Sequence, residues 1–351
     1  MSRLAEMHFD KIGSLFEDEN GSYSIGECLT PSLIWQLRDE LEIIDRGPFD
    51  QESQYFYSMI AAFVAHAKEF YLGPHIFFAP TPDSSQYPYW ASFKEAVGRW
   101  RTFGSIFGDS KNRLSFCIAG DFLSEMVPRL ISTGPFVLSH PDLHCGNIFV
   151  DDDFNITSII DWSSASTGPL TELLAIPERN DSFLPPKESL VAAFRSGFCQ
   201  GGQTIEPEQW RTADKIWHFT RLVRMLSVQD YVHFKALYDI VYEKDADDIP
   251  QVFYERSKDE RGRALYAELL QDEMEWEAKE EQTRKKEEDN DRYVNKSEEP
   301  AIAMKLKLMS EMNHNFIADK RLWQWIEKAL RPADSTESCV QLAENIDPIG
   351  K

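Results

Sequence analysis

Apolar positions Phe56, Ile60, Phe63, Val64, Ala67 and Tyr71 recur at three- and four-residue steps, which places them on one face of a helix over residues 51–72, stopped by Gly73-Pro74. The same spacing predicts helices over residues 89–107 and from Gly120 to about Ile131, the second kinked or ended at Pro128. Ahead of them, residues 9–16 and 23–26 flank an Asn20-Gly21 turn and predict a hairpin. The texture then changes to short apolar strands at residues 136–139, 147–150 and 156–162, with a turn over Asp151, Asp152, Asp153, Phe154 and Asn155. Beyond Pro185-Pro186 helical spacing returns over residues 190–199, 208–242, 253 to about 292 and 301–330, with Ile216, Phe219, Val223 and Leu226 as one buried stripe. The stretch 273–299 carries charges of both signs and predicts a solvated helix or a linker.

Composition narrows this picture. With 351 residues, 42% of them hydrophobic, the chain can bury a large core and accommodates one elaborate domain or two. A formal charge of −22 opposes binding to nucleic acid or to anionic lipid, because like charges repel the phosphates. Cys28, Cys117, Cys145, Cys199 and Cys339 are widely spaced and form no zinc-type pair, which predicts reduced thiols and a cytoplasmic protein. No apolar run reaches the length of a membrane span, so neither a membrane nor a nucleic acid is an expected partner.

The candidate chemistry lies in the strand-rich block. Phosphoryl transfer needs a carboxylate to orient the acceptor hydroxyl and two further ligands to hold Mg²⁺ on the phosphates. In the kinase arrangement an Asn follows the first carboxylate by five positions and a second Asp follows a strand pair later. Asp142 and Asn147 have that spacing, and Asp161 stands at the end of the third strand. The turn at residues 151–155 folds the strands back, so Asn147 and Asp161 converge as hard oxygen ligands.

The run His140-Pro141-Asp142-Leu143-His144-Cys145-Gly146-Asn147, followed by Ile160-Asp161-Trp162-Ser163, resembles the aminoglycoside phosphotransferase and choline kinase family, in its fungal branch. Residues 169–175 and the post-hinge-like strand at residues 9–15 extend the resemblance over residues 1–245. It implies an α+β, mainly α fold: a protein-kinase-like C-terminal lobe with a small catalytic β-hairpin region, followed over residues 246–351 by a helical, highly charged extension. It further implies Asp142 as catalytic base, His140 and His144 as supports of the loop, Asn147 and Asp161 as Mg²⁺ ligands, ATP as phosphate donor and a small-molecule hydroxyl acceptor.

The family's Gly-rich loop and phosphate-binding Lys have no counterpart ahead of the hinge-like strand. Gly13, Gly21 and Gly26 are too far apart, and Lys11 reads as a solvent-facing lysine. The expectation is therefore a kinase-like phosphotransferase without its N-terminal ATP-binding lobe, or alternatively a non-catalytic pseudokinase that serves as a binding or scaffold protein. Trp210, Trp217, Tyr231 and Phe234 read as core rather than as an acceptor pocket, Cys145 as a packing thiol, and Asp151, Asp152 and Asp153 as turn residues.

Overall fold

Of the apolar stripe of the first long helix, Phe56, Ile60, Phe63 and Ala67 are in the core, Val64 packs against it partly buried, and Tyr71 lies outside the described residues. The computed structural model describes residues 1–70, 72, 75–79, 82, 84–177, 186–224, 226–227, 230–243, 248–291, 302–304 and 306–307. In chain order the elements are β1 (His8–Phe9), β2 (Gly13–Glu17), β3 (Tyr23–Ile25), α1 (Pro31–Ile34), α2 (Glu52–Glu69), α3 (Trp90–Phe107) and α4 (Asp109–Met126). There follow β4 (Phe136–Ser139), β5 (Ile148–Val150), β6 (Ile156–Ile159), β7 (Ser166–Pro169), α5 (Leu170–Leu174) and α6 (Glu188–Gln200). Helices α7 (Pro207–Arg224), α8 (Asp230–Tyr242), α9 (Ile249–Lys258) and α10 (Glu260–Asp291) complete the described elements.

The chain divides into two compact units, Met1–Glu273 and Met274–Lys351. The first reaches past residue 245 because Phe253 and Leu269 are part of its core. Of the second, residues 274–291, 302–304 and 306–307 are helical. The predicted helix over residues 301–330 otherwise lies outside the described residues, as do the Gly73-Pro74 stop and Cys339.

Two antiparallel sheets carry the loops that matter. The larger runs β1-β4-β7-β2-β3, and the smaller is the β5-β6 ribbon. The predicted hairpin is present as β2 against β3, with Leu15 opposite Ile25. Strand β4 lies between β1 and β7, with Leu138 opposite Thr167 and Ser139 opposite Ser166, so the segment leading into His140 is held on both edges. The Thr167 hydroxyl locks the neighbouring strand as well, donating to Lys11 O at 2.7 Å and accepting from Gly13 N at 3.0 Å.

Helices α2, α4, α7 and α8 supply most of the main core. Phe77 sits at its centre, stacked on Phe253 at 5.5 Å and edge-on to Phe116 and Phe234. Several boundaries differ from those the spacing predicts: the helix expected from 253 to about 292 is broken at Asp259 into α9 and α10, and two further differences concern α4, α7 and α8. Helix α4 begins at Asp109 rather than near Gly120. Its first half buries polar residues that serve the preceding segment: Asn112 accepts from Phe77 N at 3.0 Å and donates to His75 O at 2.7 Å, and Arg113 donates to Lys68 O. These buried polar side chains interrupt the apolar pattern at the start of the helix, since they satisfy backbone groups. The predicted helix over residues 208–242 is two helices, and at the start of the second the Asp230 carboxylate accepts hydrogen bonds from both the N–H and the hydroxyl of Ser227, the half of a capping box in which the later side chain reaches back.

Candidate active site

Strand β4 delivers the chain to a tight loop. Leu143 N donates to His140 O at 3.0 Å, and the Leu143 side chain is buried and anchors the turn. A short 3-10 turn, Cys145–Asn147, follows with His144 as its cap, the Nδ1 atom accepting from Gly146 N at 3.1 Å. Asn147 is buried; its N–H donates to His144 O at 2.9 Å and its Nδ2 donates to the Asp142 carbonyl at 3.0 Å. The amide nitrogen is thereby committed to holding the loop, and the amide oxygen is the group left for a ligand.

The ribbon then returns the chain to the same place. Ile148 pairs with Ile159, and Ile160 N donates to Asn147 O at 3.0 Å, so Asp161 follows directly on a residue bonded to Asn147. Asp161 is exposed and left-handed, at φ 62° and ψ 57°, a conformation that costs a non-glycine residue roughly 1–2 kcal/mol. Its Oδ1 accepts from the Ser163 hydroxyl at 2.8 Å.

His140 is buried beneath the loop. Its Nε2 lies 2.9 Å from Ile160 O, and its ring is tilted against Trp162 with centroids 4.8 Å apart. A carbonyl can only accept, so Nε2 carries a proton, and in the neutral ring Nδ1 is then a lone-pair acceptor. That Nδ1 is buried and meets no hydrogen-bond partner.

On the other side of the loop the Asp142 carboxylate is paired with Arg224, at the C-terminal end of α7, and both side chains are largely buried. The Arg224 guanidinium also lies over the Trp35 ring, 4.8 Å from its centroid. Beside it is a cavity of about 90 Å³, lined among others by His140, Glu172, Tyr55, Arg221 and Arg224. Burial and the neighbouring Glu52 carboxylate push the Glu172 carboxyl up to about 8, against a hydrogen bond from Tyr55 that favours ionisation. Glu172 keeps some accessible surface, yet its Oε1 is buried without a partner. A β-carbon at Gly168 would come within 2.6 Å of Glu172 Oε2, so this turn of β7 admits only glycine without displacement.

Residues 82–208 match the model of the phosphotransferase enzyme family, APH. No curated protein and no solved structure matches the chain. The matched segment carries the loop from His140 to Asn147, Asp161 and Glu172. It ends before Arg224, which the tertiary structure brings to the matched loop from α7.

The structure thus brings Asp142, Asn147 and Asp161 to one end of the ribbon, with His140 and His144 as parts of the loop's hydrogen bonding. Sequence reasoning missed Arg224, Arg221, Glu172 and Trp35. Arg221 and Arg224 stand one turn apart on α7, a weak signal against so charged a background. Among the described residues no three His, Cys, Asp or Glu side chains cluster as a metal site. Asn147 and Asp161 suit the sparser requirement of Mg²⁺, which takes one or two protein oxygens plus phosphate and water.

The remaining candidates resolve simply. Trp217 and Phe234 are core, and Tyr231 and Trp210 pack against it. Asp151 closes its turn by accepting from Asp153 N and Asn155 N. Cys145 is exposed, which corrects its reading as a packing thiol; it stands at the first position of the 3-10 turn. Among the described residues no helix is long and apolar enough to cross a membrane.

Proposed function

We propose that the chain is a small-molecule phosphotransferase that moves the γ-phosphoryl group of ATP to a hydroxyl, with Asp142 as base and Asn147 and Asp161 holding Mg²⁺. The observation that carries this reading is the Asn147 Nδ2 bond to the Asp142 carbonyl together with the Ile160–Asn147 backbone bond. Those two bonds tie the Asp142 backbone to Asn147 and bring the residue before Asp161 against Asn147, which supports the positioning that phosphoryl transfer asks of a protein. Family phosphotransferases generally use ATP and Mg²⁺, and the match over residues 82–208 supports the same cofactors here.

In the step proposed, the acceptor oxygen forms its bond to the γ-phosphorus as the bond to the bridging oxygen breaks. The nucleoside diphosphate leaves with the electron pair, and the hydroxyl proton goes to Asp142. Bound Mg²⁺ would neutralise phosphate charge. Transfer of labelled γ-phosphate to a hydroxyl compound should be abolished in Asp142→Ala with the fold intact by circular dichroism.

The Asp142–Arg224 pair favours a second reading, a pseudokinase that binds without turnover, because the base is already engaged. Thermal unfolding separates ligand binding from its absence. Mg²⁺-ATP at about 100 times its dissociation constant raises stability by about 2.7 kcal/mol. A folded protein with no shift at millimolar nucleotide would remove ATP from both readings.

A further inference from the structure

We propose that the cavity beside Arg224 is the acceptor site and that it takes a small hydroxycarboxylate, whose carboxylate draws the Arg224 guanidinium off Asp142. The role given to Asp142 rests on the phosphotransfer reading; the pocket and its ligand class do not.

Charge is the first ground. The chain carries a net charge of −22, yet the cavity is lined by two arginines, Arg224 beside Asp142 and Arg221 stacked on Trp217, and by a single carboxyl residue, Glu172. Burial and Glu52 keep Glu172 largely protonated at neutral pH. An ammonium-bearing acceptor would meet an arginine-lined wall and no ionised carboxylate of that wall. A carboxylate meets the fork geometry that arginine matches in a bidentate way.

The second ground is the hydrogen-bonding inventory. His140 Nδ1 is a lone-pair acceptor, and it and Glu172 Oε1 are buried without partners in side chains that line the cavity. His140 is more than nine-tenths buried. Hydroxyl groups on a ligand, which both donate and accept, would satisfy His140 Nδ1 and the protonated Glu172 carboxyl alike, and a hydroxycarboxylate supplies hydroxyls and an anion together. Size agrees: a cavity of about 90 Å³ holds a handful of waters, at roughly 10–15 Å³ each, or a ligand of a few heavy atoms.

The third ground is that one side chain connects cavity and base. Arg224 lines the cavity, pairs with Asp142 and rests on Trp35. Its backbone is fixed independently, since the buried Arg38 guanidinium donates to the carbonyls of Ser32, Val223 and Arg224. The side chain can therefore change partner while α7 stays in place. A neutral acceptor or a water molecule offers Arg224 no competing charge, so Asp142 stays paired and ATP is not spent on water. An acceptor that carries its own carboxylate releases the base as it binds.

Calorimetric titration of the full chain, without nucleotide, tests the pocket alone. The probes are glycolate, glycerate and tartrate, set against glycerol and ethanolamine. At least one hydroxycarboxylate should bind while glycerol and ethanolamine do not. Arg224→Gln should weaken that binding at least about ten-fold, the loss of a charge-assisted pair, and Arg224→Lys should restore part of it. Asp142→Asn should tighten it, because the competitor for the guanidinium is gone. No binding by any of the three acids, equal binding of ethanolamine or glycerol, or indifference to Arg224→Gln would each overturn the proposal. A chain that binds an acid with this pattern but transfers no phosphate to it keeps the pocket and loses the catalytic reading. A chain that phosphorylates another hydroxyl and fails the titration does the reverse.

Discussion

The two sides of the loop around Asp142 are built differently. On the side of Asn147 and Asp161, support comes from single hydrogen bonds along a two-stranded ribbon whose Phe149, Phe154 and Ile156 are exposed. On the side of Arg224 and Glu172, support comes from packed helices, a buried guanidinium holding three carbonyls and carboxyls taken out of water. Burial makes charge expensive, so the second side can hold groups in protonation states and pairings that water would not allow. The first side keeps its carboxylate hydrated and available to a cation that arrives with phosphate.

That contrast makes stability and ligand binding separable. The largest effect should follow Arg38→Ala on the buried side. Removing a buried cation that faces Asp230 and holds the end of α7 should lower unfolding stability by about 3–5 kcal/mol in a urea titration. A loss below about 1 kcal/mol would mean that the buried side is not held as described.

A smaller effect should appear with pH. Glu172 and Asp230 are both pushed up to about 8 by burial, so between roughly 4.5 and 8 the folded chain binds more protons than the unfolded one. Their stabilisation is complete at the acid end and is lost as pH rises towards 8. His218 and His233 run the opposite way, held down to about 4 and about 3 by burial, so their contribution is complete above 6.5 and is lost as pH falls. Between pH 6.5 and 8 the carboxyls act without these histidines. Stability should fall there by of order 1 kcal/mol per pH unit for each carboxyl, and Glu172→Gln should flatten the slope. An unchanged slope in that variant would place the Glu172 carboxyl in contact with water.

The smallest change in stability should come from the ribbon side. Asp161→Asn removes an exposed charge and should alter unfolding by no more than about 0.5 kcal/mol. The same variant should lose the thermal response to Mg²⁺-ATP. If it unfolds as readily as Arg38→Ala, the two sides do not differ in the way drawn above.

How much could be read in advance follows the same division. Asp142, Asn147 and the ribbon strands are close together in the chain, so spacing and alternation alone mark them as candidates. The start of α4 is hidden because Asn112 and Arg113 are buried to serve backbone groups, which breaks the apolar stripe. The division between α7 and α8 was signalled by Ser227 and Asp230 and is outweighed by helical spacing on either side. Nothing local marks Arg224: its partner Asp142 is 82 positions away, and only the docking of α7 brings them together.

By itself, the sequence determined the parts whose physics is short-ranged. These are the helical stripes, the β2-β3 hairpin, the turn at Asp151 and the spacing of Asp142, Asn147 and Asp161. The tertiary structure decided which charges share a dry space. The state of Glu172, the engagement of Asp142 and the fixing of α7 by Arg38 all depend on water being excluded by residues far apart in the chain. Coulombic and desolvation energies are set by that exclusion and not by sequence neighbours.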